Sequence, residues 1–475
     1  RFFMITLRLV GHQAIFPVSD VLRLFFGPIR TLDSGEIQAD SEEEMEIISL
    51  LEKDDTSESR EKPSLLRTII NGRCISTTEM DTLPLNRQVK RDLYNALSRF
   101  TGRQFPWGSL TGIRPTLVAR EVDSERELEA VYAVRSDKSK LAIKTARSED
   151  IVMRQIPADS LSIYIGIPFC PTRCSYCSFP AYDMSSGTNI LPDYVEALLT
   201  EIEMLQPLFS NVDSIYFGGG TPTVLADEHF DHFLTRAVSL LKPNVRTEIT
   251  LEAGRPDTIT LAKLESAKSN GVNRICINPQ TLNNQTLQNI GRRHTVEDFE
   301  KALSSIKQMR FDSVNADLIA GLPGERSSDF KLSLDVLCES KPDNITVHSL
   351  YKKRTARLTR EEVMQSVSEA EIDLMLRYAH KKLPGMGYIP YYLYKQKDTL
   401  GGHENTGYSL PGKECRYNVA MMSDAYSVLA IGAGGVSKRV YHHKRMERCD
   451  CLKNPIEYIR RVREMAERKR HFFDV

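Results

Sequence analysis

The sequence predicts an α/β protein centred on a parallel sheet curled into a partial (β/α)6 barrel, with an N-terminal α+β domain and a small C-terminal α+β domain. Two observations carry this prediction. Six apolar strand-like runs, "LSIYIGI", "DSIYFGG", "TEITLEA", "NRICINP", "DSVNADLI" and "DNITVHS", alternate with helix-patterned segments such as "DYVEALLTEIEML", "EHFDHFLTRAVSLL" and "TVEDFEKALSSIKQM". Strands separated by helices specify a parallel sheet covered by its own crossovers. Outside this region the alternation stops. The expected boundaries are 1–155, 156–362 and 363–475.

Before the barrel, the pattern gives a strand over Phe2–Leu9, a helix near Val18–Phe26, a strand near Leu65–Ile70, and helices through "NRQVKRDLYNALSRF" and "SKLAIKTARSEDIVMRQI". The acidic "DSEEEMEIISLLEKDD" reads as a solvated face or hairpin edge, and "WGSLTGIRPTLVAREV" as a loop capping a helix. After the barrel come a helix (Ser368–Lys382), a Tyr-rich strand "YIPYYLYKQK", a Gly-rich loop, two apolar strands around "YSVLAIGAGGVSKRVY" and a charged closing helix "PIEYIRRVREMAERKR".

A chain of 475 residues that is 41% hydrophobic can bury one large core and at least one smaller one. Its 63 basic residues balance 63 acidic ones, which removes any global electrostatic argument for nucleic acid or an anionic membrane. A local basic pocket remains open. No apolar run approaches the roughly 18 residues of a membrane span, and "RFFMITLRLV" lacks a signal-peptide cleavage pattern. A soluble, cytoplasmic chain without nucleic-acid partners is expected, with its natural start left open. Nine cysteines argue against a disulfide scaffold and for a reducing compartment. Cys74, Cys276 and Cys338 lie in apolar or mixed runs and read as buried thiols.

The chemistry concentrates in "YIGIPFCPTRCSYCSF", Tyr164–Phe179, where Cys170, Cys174 and Cys177 follow the first barrel strand as CxxxCxxC. Ligands in such a barrel belong at the C-terminal ends of its strands. Soft thiolates at this spacing suit an iron–sulfur cluster or zinc, and CxxC alone suits a redox dithiol. Three ligands facing a four-iron cubane would leave one iron open.

This loop resembles that of the radical S-adenosylmethionine (SAM) superfamily. The resemblance implies a [4Fe–4S] cluster on Cys170, Cys174 and Cys177. It further implies SAM chelated to the open iron and cleaved to methionine and a 5'-deoxyadenosyl radical. "FGGGTPT" supplies Gly218, Gly219, Gly220 and Thr221 for the methionine moiety of SAM. "TLEAGRP" supplies Glu252, "NPQTLNNQTLQNIGRRHT" Gln280 and Arg292, and "NADLIAGLPG" Asp317 and Ile319; family equivalents contact the SAM ribose, carboxylate and adenine. Tyr164 and Glu252 are the expected catalytic positions. Taken singly, a strand-end Glu or Asp is commonly a cap or ion-pair partner; the family order of the five features carries the reading.

From about Ser160 to near the C-terminus the chain is similar to the oxygen-independent coproporphyrinogen III oxidase group. That resemblance implies decarboxylation of two propionates of coproporphyrinogen III to vinyl groups, giving protoporphyrinogen IX, by a monomer served by a flavodoxin- or ferredoxin-type donor. It leaves a heme-binding chaperone and a heme methyltransferase as alternatives. Substrate carboxylates call for cations, offered by Lys352, Lys353 and Arg354 in "YKKRTAR", beside the Tyr-rich "YYLYKQK". The chain departs from HemN members of the group, which carry a histidine at the position of Gly166 and a fourth cysteine at that of Phe179. It also has Tyr417-Asn418 where HemW members show His-Asn. Cys415, Cys449 and Cys451 offer an auxiliary metal set, with incidental cysteines as the alternative, and His442-His443 reads as a surface pair.

Overall fold

The computed structural model describes residues 3–41, 43–52, 64–112, 114–177, 182–183, 190–351, 367–396, 399–441 and 445–474. The chain forms two compact units, Arg1–Ala146 with Tyr394–Glu404, and Arg147–Leu393 with Asn405–Val475. Lys352, Lys353, Arg354, Phe179 and the His442-His443 pair lie outside the described residues.

In the first unit, β1 (Phe3–Val10), β2 (Ile29–Thr31), β3 (Ile37–Ser41), β4 (Met45–Glu52), β5 (Leu65–Ile70) and β6 (Arg73–Glu79) make one sheet in the order β2-β3-β1-β4-β5-β6. Helices Ile15–Phe26 and Leu85–Thr101 set Val18, Leu22, Phe25, Leu93 and Leu97 into one core with Ile5, Leu7, Ile47 and Leu66. Asp92 is buried in this packing and is satisfied by three hydroxyls: Thr68 (2.7 Å), Ser76 (2.5 Å) and Thr78 (2.8 Å). Glu404, returning to this unit, accepts from Lys138 Nζ at 2.6 Å and Trp107 Nε1 at 2.7 Å.

Two expectations are corrected here. The acidic stretch contains β4, an interior strand paired parallel to β1 and antiparallel to β5; its apolar residues alternate inward, and the flanking acids mask that period. Cys74 is exposed, whereas Cys276 and Cys338 are buried. It lies on edge strand β6, where a register shift against β5 interrupts the alternation of faces.

The second unit carries β7 (Leu161–Ile167), β8 (Phe169–Cys170), β9 (Tyr182–Asp183), β10 (Val212–Gly219), β11 (Glu248–Glu252), β12 (Arg274–Cys276), β13 (Ser313–Ala320) and β14 (Asn344–Ser349). After them come β15 (Ile389–Lys395) and β16 (Glu404–Ser409), of which residues 389–393 and 405–409 belong to this unit, then β17 (Ser427–Ile431), β18 (Val436–Val440) and β19 (Met446–Asp450). The large sheet has the order β15-β16-β14-β13-β12-β11-β10-β7-β17-β18-β19. Its six central strands, β7 and β10–β14, are all parallel and correspond to the six apolar runs. Crossover helices, among them Leu191–Met204, Asp227–Leu241 and Val296–Gln308, separate them. The strand order is that of an open, partial barrel. C-terminal residues extend it on both sides: β16 runs antiparallel to β14, and β17 parallel to β7.

The β17 edge is tied to the barrel through a buried acid. Glu201 accepts from Lys469 Nζ (2.6 Å), Tyr458 OH (2.7 Å) and the Gly432 amide (2.9 Å). Tyr194 completes the tie, donating its hydroxyl to Gly166 O at 2.7 Å and accepting from the Ala433 amide at 2.9 Å. Gly432 has φ +100°, and a Cβ there would meet Gly166 O at 2.6 Å, so the turn accepts only glycine. Among the described residues no helix is long and apolar enough to cross a membrane. Lys469→Met leaves the Glu201 carboxylate buried without its cation; a loss of about 3–5 kcal/mol is expected, read as a lowered urea midpoint with an unchanged denaturant slope.

Candidate active site

β7 ends at Ile167, and the chain turns through Pro168 into the cysteine loop. Backbone hydrogen bonds join that loop to the glycine turn after β10: the Gly220 amide donates to Ile167 O and the Thr221 amide to Phe169 O, both at 2.8 Å. A Cβ at Gly220 would lie 2.5 Å from Phe169 O, so the approach requires glycine. The far side of the loop is fastened by Ser175 N to Ile290 O (3.0 Å) and by Thr172 Oγ1 to Gly291 O (3.0 Å). Two of the three sulfurs have identified donors. The Thr221 hydroxyl donates to Cys170 Sγ at 3.5 Å, and Arg255 Nη1 to Cys174 Sγ at 3.8 Å. Burial pushes the Cys170 thiol up to about 11, with the Thr221 hydroxyl pulling the other way.

Tyr164 and Tyr216 are in register on β7 and β10, and each ring leans over the glycine two residues ahead. A Cβ at Gly218 would meet Tyr216 Cε1 at 2.7 Å and Glu252 Oε2 at 2.7 Å; one at Gly166 would meet Tyr164 Cε1 at 3.2 Å. A third ring, Tyr417, stacks on Tyr216 (centroids 4.6 Å) and Tyr164 (6.3 Å). It is set there by Glu248, which accepts from the Tyr417 amide at 3.1 Å, the Arg416 amide at 3.1 Å and Cys415 Sγ at 3.3 Å, capping the helix Arg416–Met422. Cys415 is thus spent on this cap. Among the described residues no three His, Cys, Asp or Glu side chains are placed to hold a single metal ion.

Glu252 lies at the end of β11; burial first, and the Asp317 carboxylate second, push it up to about 8, with the Gly219 backbone amide pulling the other way. Asp317 shows the opposite behaviour. Burial works against its charge, but the hydrogen bond and charge of His348 together with Asn315 and Thr346 outweigh it and the carboxyl is lowered. His348 Nε2 stands 3.5 Å from Asp317 Oδ2, and the imidazole is raised in spite of burial. Gln280 sits at φ +69°, its amide on Asp317 O (3.0 Å) and its carbonyl taking the Ile319 amide (2.9 Å). Gln280, Asp317 and Ile319 are thereby held as one backbone unit, while Gly218, Gly219, Glu252 and Tyr164 form a second group. Arg292 belongs with the cysteine loop, its Nη1 on Asn278 O (2.6 Å) and Gly254 O (3.3 Å).

Arg255, His348 and Tyr216 have no part in the sequence reading, and Tyr417 enters it only as a departure from HemW members. His348 was legible as an inward position of the last parallel strand; Arg255 gave no local signal. The Tyr-rich strand is packed away: Tyr391 and Tyr392 are buried, and Tyr391 OH accepts from Asn418 Nδ2 at 3.2 Å.

The residues present fit an iron–sulfur cluster with an organic co-ligand. Donors already point at thiol sulfurs, as thiolates require. A cubane spreads its cysteines over different irons, so failure to converge on one ion is no conflict. Beside the loop, Gln280 Oε1, Asn278 Oδ1 and Arg292 Nε are buried polar atoms with no hydrogen-bond partner, which a polar ligand would satisfy.

A family model for the radical SAM superfamily matches residues 164–337, the stretch from Tyr164 through the parallel strands. The chain is 40% identical over 373 residues, 74% of each chain, to the oxygen-independent coproporphyrinogen-III oxidase-like protein HemZ of Bacillus subtilis. It is 30% identical over 278 residues to the heme chaperone HemW of Lactococcus lactis, covering 58% of this chain and 69% of that one. The structure resembles Escherichia coli coproporphyrinogen III oxidase HemN, with a TM-score of 0.52 at 22% identity over 68% of this chain and 73% of that one. The last likeness supports the fold. The chain therefore belongs to the oxygen-independent coproporphyrinogen-III oxidase-like family of the radical SAM superfamily. Its cofactors are a [4Fe–4S] cluster and SAM.

Replacing Cys170, Cys174 or Cys177 singly by Ala is expected to abolish reductive SAM cleavage while leaving the chain soluble, checked by iron content and 5'-deoxyadenosine release. Glu252 has a native value of about 8 against an ordinary value of 4.5, so its native form keeps a proton that the unfolded chain releases. Its contribution to stability is complete below about pH 4.5 and declines as pH rises through 8. Glu252→Gln is expected to flatten that decline in the metal-free protein, measured as urea midpoints from pH 5 to 9.

Proposed function

We propose that this protein carries out the oxygen-independent oxidative decarboxylation of two propionates of coproporphyrinogen III, giving protoporphyrinogen IX. The observation that carries the reading is the 40% identity, over 74% of both chains, to a coproporphyrinogen-III oxidase-like relative. When bound, the cluster and SAM supply a 5'-deoxyadenosyl radical as hydrogen-atom acceptor. Each propionate gives up a β-hydrogen atom, carbon dioxide and one electron, and a vinyl group remains. That electron needs an external one-electron acceptor.

Cys170, Cys174 and Cys177 hold the cluster. Gly218–Gly220 and Thr221 line the methionine moiety of SAM, while Gln280, Arg292, Asp317 and Ile319 receive its carboxylate, ribose and adenine. Glu252, its carboxyl raised by burial, ionises as an ammonium group approaches, because an adjacent cation favours the carboxylate. Tyr164 is held neutral, its phenol raised by burial and then by Glu252, beside Gly219. The cytoplasm, a monomeric state and a flavodoxin- or ferredoxin-type donor fit this chemistry. The second reading is a heme carrier, favoured by the 30% identity to a heme chaperone.

The test is anaerobic. Iron-loaded protein, SAM, a low-potential reductant and coproporphyrinogen III are incubated together, and 5'-deoxyadenosine and tetrapyrrole mass are followed in parallel. Conversion of two propionates to vinyl groups in step with deoxyadenosine is expected. Unchanged porphyrinogen with stable heme binding would replace the reading by the carrier, and a methylated or opened heme by a heme-modifying enzyme.

A further inference from the structure

Arg255 is buried at 3% exposure just after β11. Its Nε and Nη2 form a fork on Asp257, at 3.1 Å to Oδ1 and 3.3 Å to Oδ2. Its other donors reach the cysteine loop: Nη2 to Thr172 Oγ1 (3.0 Å), Nη1 to Thr172 O (3.3 Å) and Nη1 to Cys174 Sγ (3.8 Å). A guanidinium this deep is tolerated only when its donors are satisfied and its charge opposed, and here Asp257 on one side and the loop on the other do both. The planar fork permits this two-sided use, which an ammonium could not reproduce.

The charge around the sulfurs is uneven. Cys174 receives the Arg255 guanidinium, whereas Cys170 receives the neutral Thr221 hydroxyl. Asp257 opposes the Arg255 charge, and buried His294 Nδ1 stands 3.9 Å from Asp257 Oδ1, with neither ring nitrogen hydrogen-bonded among the described residues. Hydrogen bonds to the sulfurs and local charge set the potential of an iron–sulfur cluster. Reduction adds one negative charge, so a fixed cation at a ligand sulfur stabilises the reduced form.

We propose that Arg255, oriented by Asp257, is a positioning residue that raises the reduction potential of the cluster through Cys174, easing its one-electron reduction by a low-potential donor. No bond is made or broken in that step; the cluster gains the electron that the donor loses. The inference rests on the cluster alone and is independent of the tetrapyrrole reading.

The experiment is an anaerobic potentiometric titration of the iron-loaded full chain without substrate, followed by the signal of the reduced cluster, with iron and sulfide content measured separately. Arg255→Met is expected to lower the reduced-to-oxidised ratio at a fixed poise at least tenfold, equivalent to about 59 mV for a one-electron couple. Asp257→Asn, which removes the opposing charge, is expected to shift the midpoint upward. Opposite shifts support the proposal. An iron-loaded Arg255→Met protein with the wild-type midpoint, or an Asp257→Asn midpoint that stays or falls, overturns it. Where Arg255→Met fails to load iron, Asp257→Asn, which alters no group touching a sulfur, decides by the same criterion.

Discussion

The backbone contact between the cysteine loop and the glycine turn is the constraint on which the site depends. Gly220 and Thr221 give their amides to the chain just before Cys170, and side-chain-free approach at Gly220 makes those bonds possible. Two strand ends thus become one rigid rim. A loop carrying three soft ligands would otherwise pay a large ordering cost each time it met its metal. Here the ordering is built into the sheet, because β7 and β10 are paired along their length and deliver the rim in register.

A second consequence concerns the C-terminal segment. β17 lies parallel beside β7, and the turn that follows presses Gly432 against Gly166 O while Tyr194 and Glu201 bind its amides. The cysteine loop begins four residues after Gly166. The last strands and closing helices therefore brace the metal-ligand strand from the side opposite β10. Removing them would leave β7 an edge strand with open backbone groups.

How much of this was legible depended on the range of the interaction that fixes each feature. The six parallel strands were legible because strands buried on both faces read as continuous apolar runs, and the cysteine loop because few residue types ligate soft metals. β4 was hidden by the acids around it, although its inward residues Met45, Ile47 and Leu51 keep the period. β17 was recognisable as a strand, but no local pattern names β7 as its partner. Arg255 reads as an ordinary turn residue until Thr172, Asp257 and Cys174 are brought around it, and Cys74 follows a register shift that composition does not reveal.

The tyrosine stack bears on how this chain differs from relatives that carry a histidine at position 166. Tyr164, Tyr216 and Tyr417 occupy the barrel interior beneath the rim, and the first two rings take up the space above Gly166 and Gly218. Aromatic rings stacked this way add packing energy beyond their buried area, and they need small residues two positions ahead on the same face of each strand. The glycine leaves Tyr164 free to lean beside Tyr216, the ring on which Tyr417 stacks at 4.6 Å. A larger side chain at 166 would crowd Tyr164 Cε1, already within 3.2 Å of a Cβ placed there, and would disturb the stack before it reached the cluster loop.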